Sequence, residues 1–230
     1  MARLKSNKRG MNKLTYKEIL NSEYFKQTYS LIEEMKKDYP ANHGFIHVNH
    51  VIDNAKKCVK VFGLNKEEEK LLLIACALHD IGYTAGRENH AFNGSILARE
   101  VLEDSDLTKE EVDIICTAIA NHGGDKIEEF NNNVSLCLIL SDKLDFIESR
   151  YRKDIDAERN KAFFNVLSTE PKFDGKTLKI VAKVKGEDTA EKLMERSFYR
   201  KIQKCYDLAG QYLNATSEIV FEVVEPTKDK

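Results

Sequence analysis

Residues 71–82 read Leu71-Leu72-Leu73-Ile74-Ala75-Cys76-Ala77-Leu78-His79-Asp80-Ile81-Gly82. Apolar residues follow one another without a break from Leu71 to Leu78, then an imidazole and a carboxylate follow at once. A run of this kind, opened by the charged Lys66-Glu67-Glu68-Glu69-Lys70 and closed by Gly82, predicts a helix from about Lys66 to His79 set in the protein interior. The run is too short to cross a bilayer. An ionised aspartate at such a position costs several kcal/mol unless it is paired or coordinated, so the doublet His79-Asp80 asks for a partner.

Outward from this segment the sequence is helical on both sides. Upstream, Val48, Val51, Ile52, Ala55, Val59 and Phe62 form a stripe that stops at Gly63. Before it, Ile19, Tyr24, Leu31, Ile32 and Met35 recur between Thr15 and Lys37, where Thr15 and Glu18 make a capping box and Pro40 lies beyond the end. Downstream, helices are expected from about His90 to Glu103 and from Thr108 to Asn121. The second opens with the capping box of Thr108 and Glu111 and ends at Gly123-Gly124. A longer one runs from Val134 to about Tyr151. With short connections and a single apolar stripe per segment, residues 15–165 are expected to form a helical bundle preceded by a tail, 1–14. After Pro171 the period changes to two: Leu178, Ile180, Ala182 and Val184 alternate with Lys179, Val181, Lys183 and Lys185. A helix from about Thr189 to Leu213 follows, then a second alternation through Ile219, Phe221 and Val223. The fold class is therefore mainly α, a helical bundle carrying a small strand-helix-strand appendage over residues 172–230. Two strands alone are marginal in water, so the pair must lie on the bundle or pair with a second copy of the chain, which makes a homodimer an expectation.

The composition agrees with an ordinary folded protein: 230 residues, 42% apolar, 32% charged, with 3 Pro and 11 Gly, which excludes wholesale disorder and collagen-like sequence. No leader of secretory type opens the chain, and a cytoplasmic location without membrane association is expected. Cys58, Cys76, Cys116, Cys137 and Cys205 occur singly, without CxxC spacing, and read as buried reduced thiols. The net charge of −2 gives no general attraction to nucleic acid, although Arg3, Lys5, Lys8, Arg9, Lys13 and Lys17 carry no acid among them.

All six histidines, at 43, 47, 50, 79, 90 and 122, fall within 80 residues of a chain of 230. His47 lies four residues before Val51, beside its apolar stripe, and faces inward with it. Asp142 follows Leu138 by four and Ile139 by three within an apolar helix and is inward for the same reason. His47, His79, Asp80 and Asp142 thus offer nitrogen and oxygen donors from three helices, a set suited to Mn, Fe, Mg or a similar divalent ion rather than to a thiolate zinc site, with one ion favoured over two. Four ligands leave room for water and substrate, the requirement of metal-assisted hydrolysis.

Three segments in order extend this. His43-Gly44-Phe45-Ile46-His47-Val48-Asn49-His50-Val51, the central helix ending in His79-Asp80, and Ser141-Asp142-Lys143-Leu144-Asp145 resemble the H…HD…D signature of the HD-domain metal-dependent phosphohydrolases over residues 40 to 155. The resemblance implies metal ligation by His47, His79, Asp80 and Asp142. His90 and His122 resemble further histidines that members use for phosphate contact, proton transfer or a second metal, and His122 continues the inward stripe of Ile115 and Ile119. Lys143 would take up developing charge, or else be solvated or paired with Asp145. Arg87 would reach a phosphate from its loop or remain a surface charge. His50 is expected to hydrogen-bond a carboxylate behind the ligands or approach substrate.

The activity implied is hydrolysis of a phosphoester of a nucleotide or other small phosphorylated metabolite by metal-activated water, with Asp80, His122, His90 and Lys143 as the catalytic set. Family members differ in substrate, and Ile81-Gly82-Tyr83 stand here where the cyclic-dinucleotide phosphodiesterases and the related ribonuclease tend to place lysine. The alternative is a metal-stabilised ligand-binding or regulatory module with little catalysis.

Overall fold

The computed structural model describes residues 14–123 and 132–224. The helices are α1 (Tyr16–Asn21), α2 (Glu23–Met35), α3 (Phe45–Phe62), α4 (Lys66–Leu78), α5 (His90–Leu102), α6 (Lys109–Asn121), α7 (Asn133–Lys143) and the single turn α8 (Ala157–Asn160). They are followed by β1 (Val166–Phe173), β2 (Thr177–Val184), α9 (Thr189–Met194), α10 (Ser197–Tyr212) and β3 (Thr216–Val223). The basic residues expected as a tail, up to Lys13, lie outside the described residues, as does Gly124.

Helices α4 and α7 form the centre. Every residue from Leu71 to Leu78 is buried, and so is every residue from Val134 to Lys143. These two helices therefore have no single stripe, contrary to the expectation above: a helix apolar all round is one surrounded by others. Around them stand α1, α3 and α6, with α5 packed on α6. The expected capping boxes form at Thr15 with Glu18 and at Thr108 with Glu111, and a third opens α4 at Asn65 with Glu68.

Three helices differ from their expected extents, and one of them, expected from Thr189 to Leu213, is divided at Glu195-Arg196 into α9 and α10, with Arg196 extended at φ −80°, ψ 138°. The helix expected from Thr15 to Lys37 is broken at Ser22, whose hydroxyl donates to the Ile19 carbonyl at 2.6 Å and accepts from the Phe25 amide at 3.1 Å, ending α1 and starting α2. The helix expected to reach Tyr151 ends at Lys143. Beyond it the chain turns through Asp145 and Arg150, and Ala41 pairs with Tyr151 in an isolated antiparallel bridge.

The appendage contains one strand more than the alternation revealed. The sheet order is β1-β2-β3, with β1 antiparallel and β3 parallel to β2, the parallel pair joined through α9 and α10. Leu178, Ile180, Ala182 and Val184 are buried. The sheet lies on the bundle: β1 packs on α3, the Thr169 hydroxyl donates to the Leu144 carbonyl at 2.6 Å, and Lys57 Nζ donates to the Thr169 carbonyl at 3.1 Å. The buried side of α10 packs on α7, where the Tyr206 hydroxyl donates to the Lys143 carbonyl at 2.9 Å. All five cysteines are buried, and none is in a disulfide among the described residues. Among the described residues no helix is long and apolar enough to cross a membrane.

Candidate metal centre

The ends of the two central helices meet the first turn of α3. His79 caps α4 with helical dihedrals, and Asp80 leaves them at φ −98°, ψ 3°, so successive side chains turn toward one point. A single 3₁₀ turn, Ile81–Ala85, follows. Its close contact with α5 depends on Gly82, where a Cβ would lie 1.9 Å from the His90 carbonyl oxygen and 2.4 Å from the Gly94 nitrogen. Only a residue without a side chain lets the two segments approach this far. α5 then starts at His90, with Asn89 before it in the left-handed region at φ 55°.

Four side chains named from the sequence come together, all buried. Nε2 of His47 lies 3.2 Å from Nε2 of His79, 3.2 Å from Oδ1 of Asp142 and 3.5 Å from Oδ2 of Asp80. Nε2 of His79 is 3.4 Å from Oδ2 of Asp80. His122, at the end of α6, joins them with Nε2 3.3 Å from Oδ1 of Asp80. His43 reaches the other oxygen, Oδ2, through Nδ1 at 3.2 Å. His90 is farther, with Nε2 4.0 Å from Asp80 Oδ1.

The outer nitrogens decide what this cluster can bind. Nδ1 of His79 donates to the Cys76 carbonyl at 2.8 Å, Nδ1 of His122 to the Ile119 carbonyl at 2.7 Å, and Nδ1 of His47 to the Asp145 carboxylate at 2.6 Å. Each bond fixes the tautomer and turns an Nε2 lone pair inward. Lone pairs of neighbouring imidazoles 3.2 Å apart, with two carboxylates beside them, repel one another unless a cation lies among them. The donor set fits a divalent ion held by His47, His79, Asp80 and Asp142, with His122 and His43 in adjoining groups of suitable spacing.

Charge around the cluster is arranged to the same end. Burial raises the pKa of Asp80, but the histidines around it, His79 first, hold it well below the usual carboxylate range. Burial likewise acts against the Asp142 carboxylate and is outweighed by Lys143, which holds it well below that range. Burial lowers the pKa of His79, while the Asp80 charge raises it past its ordinary value. Burial lowers that of His43 and of His90 to about 4. Lys143 pairs with Asp142 rather than with Asp145.

Six groups had no role assigned from the sequence or had several left open. Asp145 accepts from His47 and, at 2.9 Å, from Nδ1 of His50, so His50 hydrogen-bonds a carboxylate, the first of the two roles left open for it. Arg150 is buried, donates to the Asp145 carbonyl at 2.8 Å, and lies 3.9 Å from Asp142. Lys36, only 4% exposed, places Nζ 4.4 Å from the ring centroids of both Tyr39 and Tyr83. Tyr83 in turn stacks on His90 with centroids 4.2 Å apart. Arg87 lies over the Tyr39 ring at 5.5 Å. All but Asp145 among Lys36, Tyr83, Arg87, Arg150 and Asp145 line a cleft of about 1600 Å³ that reaches Asp80, His90, His122, Asp142 and Lys143.

The family described as HD domain matches residues 44–161, just over half of the chain, and the chain belongs to this family of metal-dependent hydrolases. A solved structure, at 1.45 Å resolution, described as a predicted HD superfamily hydrolase from an uncultured Thermotogales bacterium, is 23% identical, with a TM-score of 0.40 over 53% of this chain and 68% of that one. No match to a curated protein was found.

Proposed function

We propose that the protein is a metal-dependent phosphohydrolase that cleaves a phosphoester of a nucleotide or other small phosphorylated metabolite. The observation that carries this reading is the inward Nε2 lone pairs of His47 and His79 beside the Asp80 and Asp142 carboxylates, opening onto a cleft whose lining includes Lys36, Arg87, Lys143 and Arg150. A divalent ion held there supplies a Lewis acid that acidifies water and polarises a phosphoryl oxygen.

The chain's own residues supply the remainder. Lys143 and Arg150, held in place by Asp142 and Asp145, present positive charge where the phosphoryl oxygens gain negative charge. Lys36 adds a third cation, kept beside the cleft by two aromatic rings. His90 holds Nδ1 to the Arg87 carbonyl at 3.1 Å, which leaves Nε2 facing Asp80 and the cleft. Burial keeps this imidazole neutral, and a phosphate dianion brought alongside raises its pKa, the direction a proton donor to the leaving oxygen requires. His122, more deeply placed, sets its Nε2 lone pair 3.3 Å from Asp80 Oδ1, where the two would share a bound cation.

The test is hydrolysis of p-nitrophenyl phosphate and of a nucleotide panel, with Mn, Fe and Mg supplied in turn, by wild type and Asp142→Ala. Turnover that requires one of these ions and is lost in the folded variant is the expected result. A wild type that hydrolyses nothing with any of them contradicts the reading.

A further inference from the structure

Arg196, the extended residue just before α10, and Arg200 and Lys204 within it follow one another at intervals of four residues. All three line the cleft that contains Asp80, His122 and Asp142, although they lie outside the segment matched by the family. The opposite side of α10, with Ile202, Cys205, Tyr206 and Ala209, is buried, and the bond from Tyr206 to the Lys143 carbonyl ties it to the end of α7, one residue after Asp142. The basic side is thereby fixed relative to the site.

Its charge runs against what helix stability favours. The first turn of a helix gains from acids and loses from cations, yet α10 has no acid in its first turn and carries Arg200 at its fourth position. Departures of this kind are expected at functional positions. The Arg196 Nε is buried and has no hydrogen-bond partner among the described residues. The chain as a whole carries −2 and the cleft is also lined by Asp38, Glu88, Asp156 and Glu195, so the excess of cations is local to the α10 side. The cleft volume of about 1600 Å³ also exceeds the ~300–1000 Å³ of a typical small-molecule site and has room for more than a simple monophosphate.

We propose that the basic side of α10 is a second anion subsite, and that the substrate is a phosphoester carrying a further phosphate beyond the one at the histidine cluster. Two chemistries share this feature, a nucleoside polyphosphate and a bisphosphorylated metabolite. The proposal rests on the hydrolase reading for the first site and adds the second.

The test uses probes that cannot be hydrolysed. Methylenediphosphonate and methylphosphonate are titrated calorimetrically into the full chain as purified, for wild type, for Arg196→Gln/Arg200→Gln/Lys204→Gln, and for Lys26→Gln/Lys60→Gln/Lys109→Gln, an equal charge loss at exposed residues away from the cleft. Wild type and the distant control are expected to bind the diphosphonate at least about tenfold more tightly than the monophosphonate, with the α10 variant losing most of that ratio. Should the triple variant not fold, Arg200→Gln alone, at an exposed position, is expected to lower the ratio about threefold. Equal binding of the two probes, or a preference that survives intact in the α10 variants, overturns the proposal. Displacement of the diphosphonate by a nucleoside triphosphate or by a hexose bisphosphate supports it and separates the two sources, and displacement by neither overturns it. Hydrolysis measured alongside keeps the readings apart: turnover without diphosphonate preference overturns only the subsite, and preference without turnover overturns only the hydrolase.

Discussion

The carboxylate of Asp145 lies 2.6 Å from Nδ1 of His47, a residue 98 positions earlier in the chain. The bond assigns the imidazole proton to Nδ1 and turns the Nε2 lone pair toward His79 and Asp142. Asp145→Asn keeps the shape but removes the charge that makes His47 a good donor. The variant is expected to fold and to bind Mn or Fe about 10- to 100-fold more weakly, read by metal titration. Unchanged affinity would show that Asp145 does not orient the ligand.

Gly82 permits the close approach of the turn after Asp80 to the start of α5. In Gly82→Ala the added Cβ would meet backbone atoms of His90 and Gly94, none of which can swing aside. A destabilisation on the order of 3 kcal/mol is expected in urea unfolding, since the two segments must separate. A loss below about 0.5 kcal/mol would mean that the segments are not held together as described.

Tyr206 links the appendage to the site through the Lys143 carbonyl. Tyr206→Phe removes one buried hydrogen bond and leaves that carbonyl unpaired, so the expected cost is about 1 kcal/mol, seen as a lower urea midpoint with an unchanged slope. An unchanged midpoint would contradict the link.

The fold's pH response follows from the histidines. Burial lowers His43 and His90 from an ordinary 6.5 to about 4 and lowers His122 as well, while His79 is shifted the other way by Asp80. For the lowered groups the unfolded chain takes up protons first, so their stabilisation is complete above pH 6.5 and is lost as pH falls toward 4. With three groups against one, the Tm of chelator-treated protein is expected to fall across that window. A Tm that stays level or rises on acidification would contradict the burial described.

The sequence made the centre of the bundle legible because α4 is apolar on every side, and no tertiary contact could turn so continuous a run into anything exposed. His47, His79, Asp80 and Asp142 were legible through their place at the ends of such segments. Strand β1 was not. Its register shifts between Val166 and Ser168, so the buried residues Val166, Thr169 and Pro171 do not alternate, and Pro171 looks like a boundary although an edge strand tolerates it. The end of α7 was hidden because Leu144, Phe146 and Ile147 continue the apolar series. What stops the helix there is tertiary: Asp145 is drawn to His47 and His50, and Arg150 closes over it. Lys36 and the cations of α10 carried no local signal, since a lysine at a helix end and a basic helix side are ordinary in a sequence and become informative only when the fold aims them into one cleft.

The most direct measurement is elemental analysis of the protein purified without chelator, for wild type and His79→Ala, followed by phosphoester hydrolysis with the identified ion restored. Near-stoichiometric Mn, Fe or a similar ion in wild type, lost in a folded His79→Ala and required for turnover, is the expected result. A wild type that holds no ion, and gains neither binding nor turnover with any divalent cation, would contradict the reading of His47, His79, Asp80 and Asp142 as a metal centre.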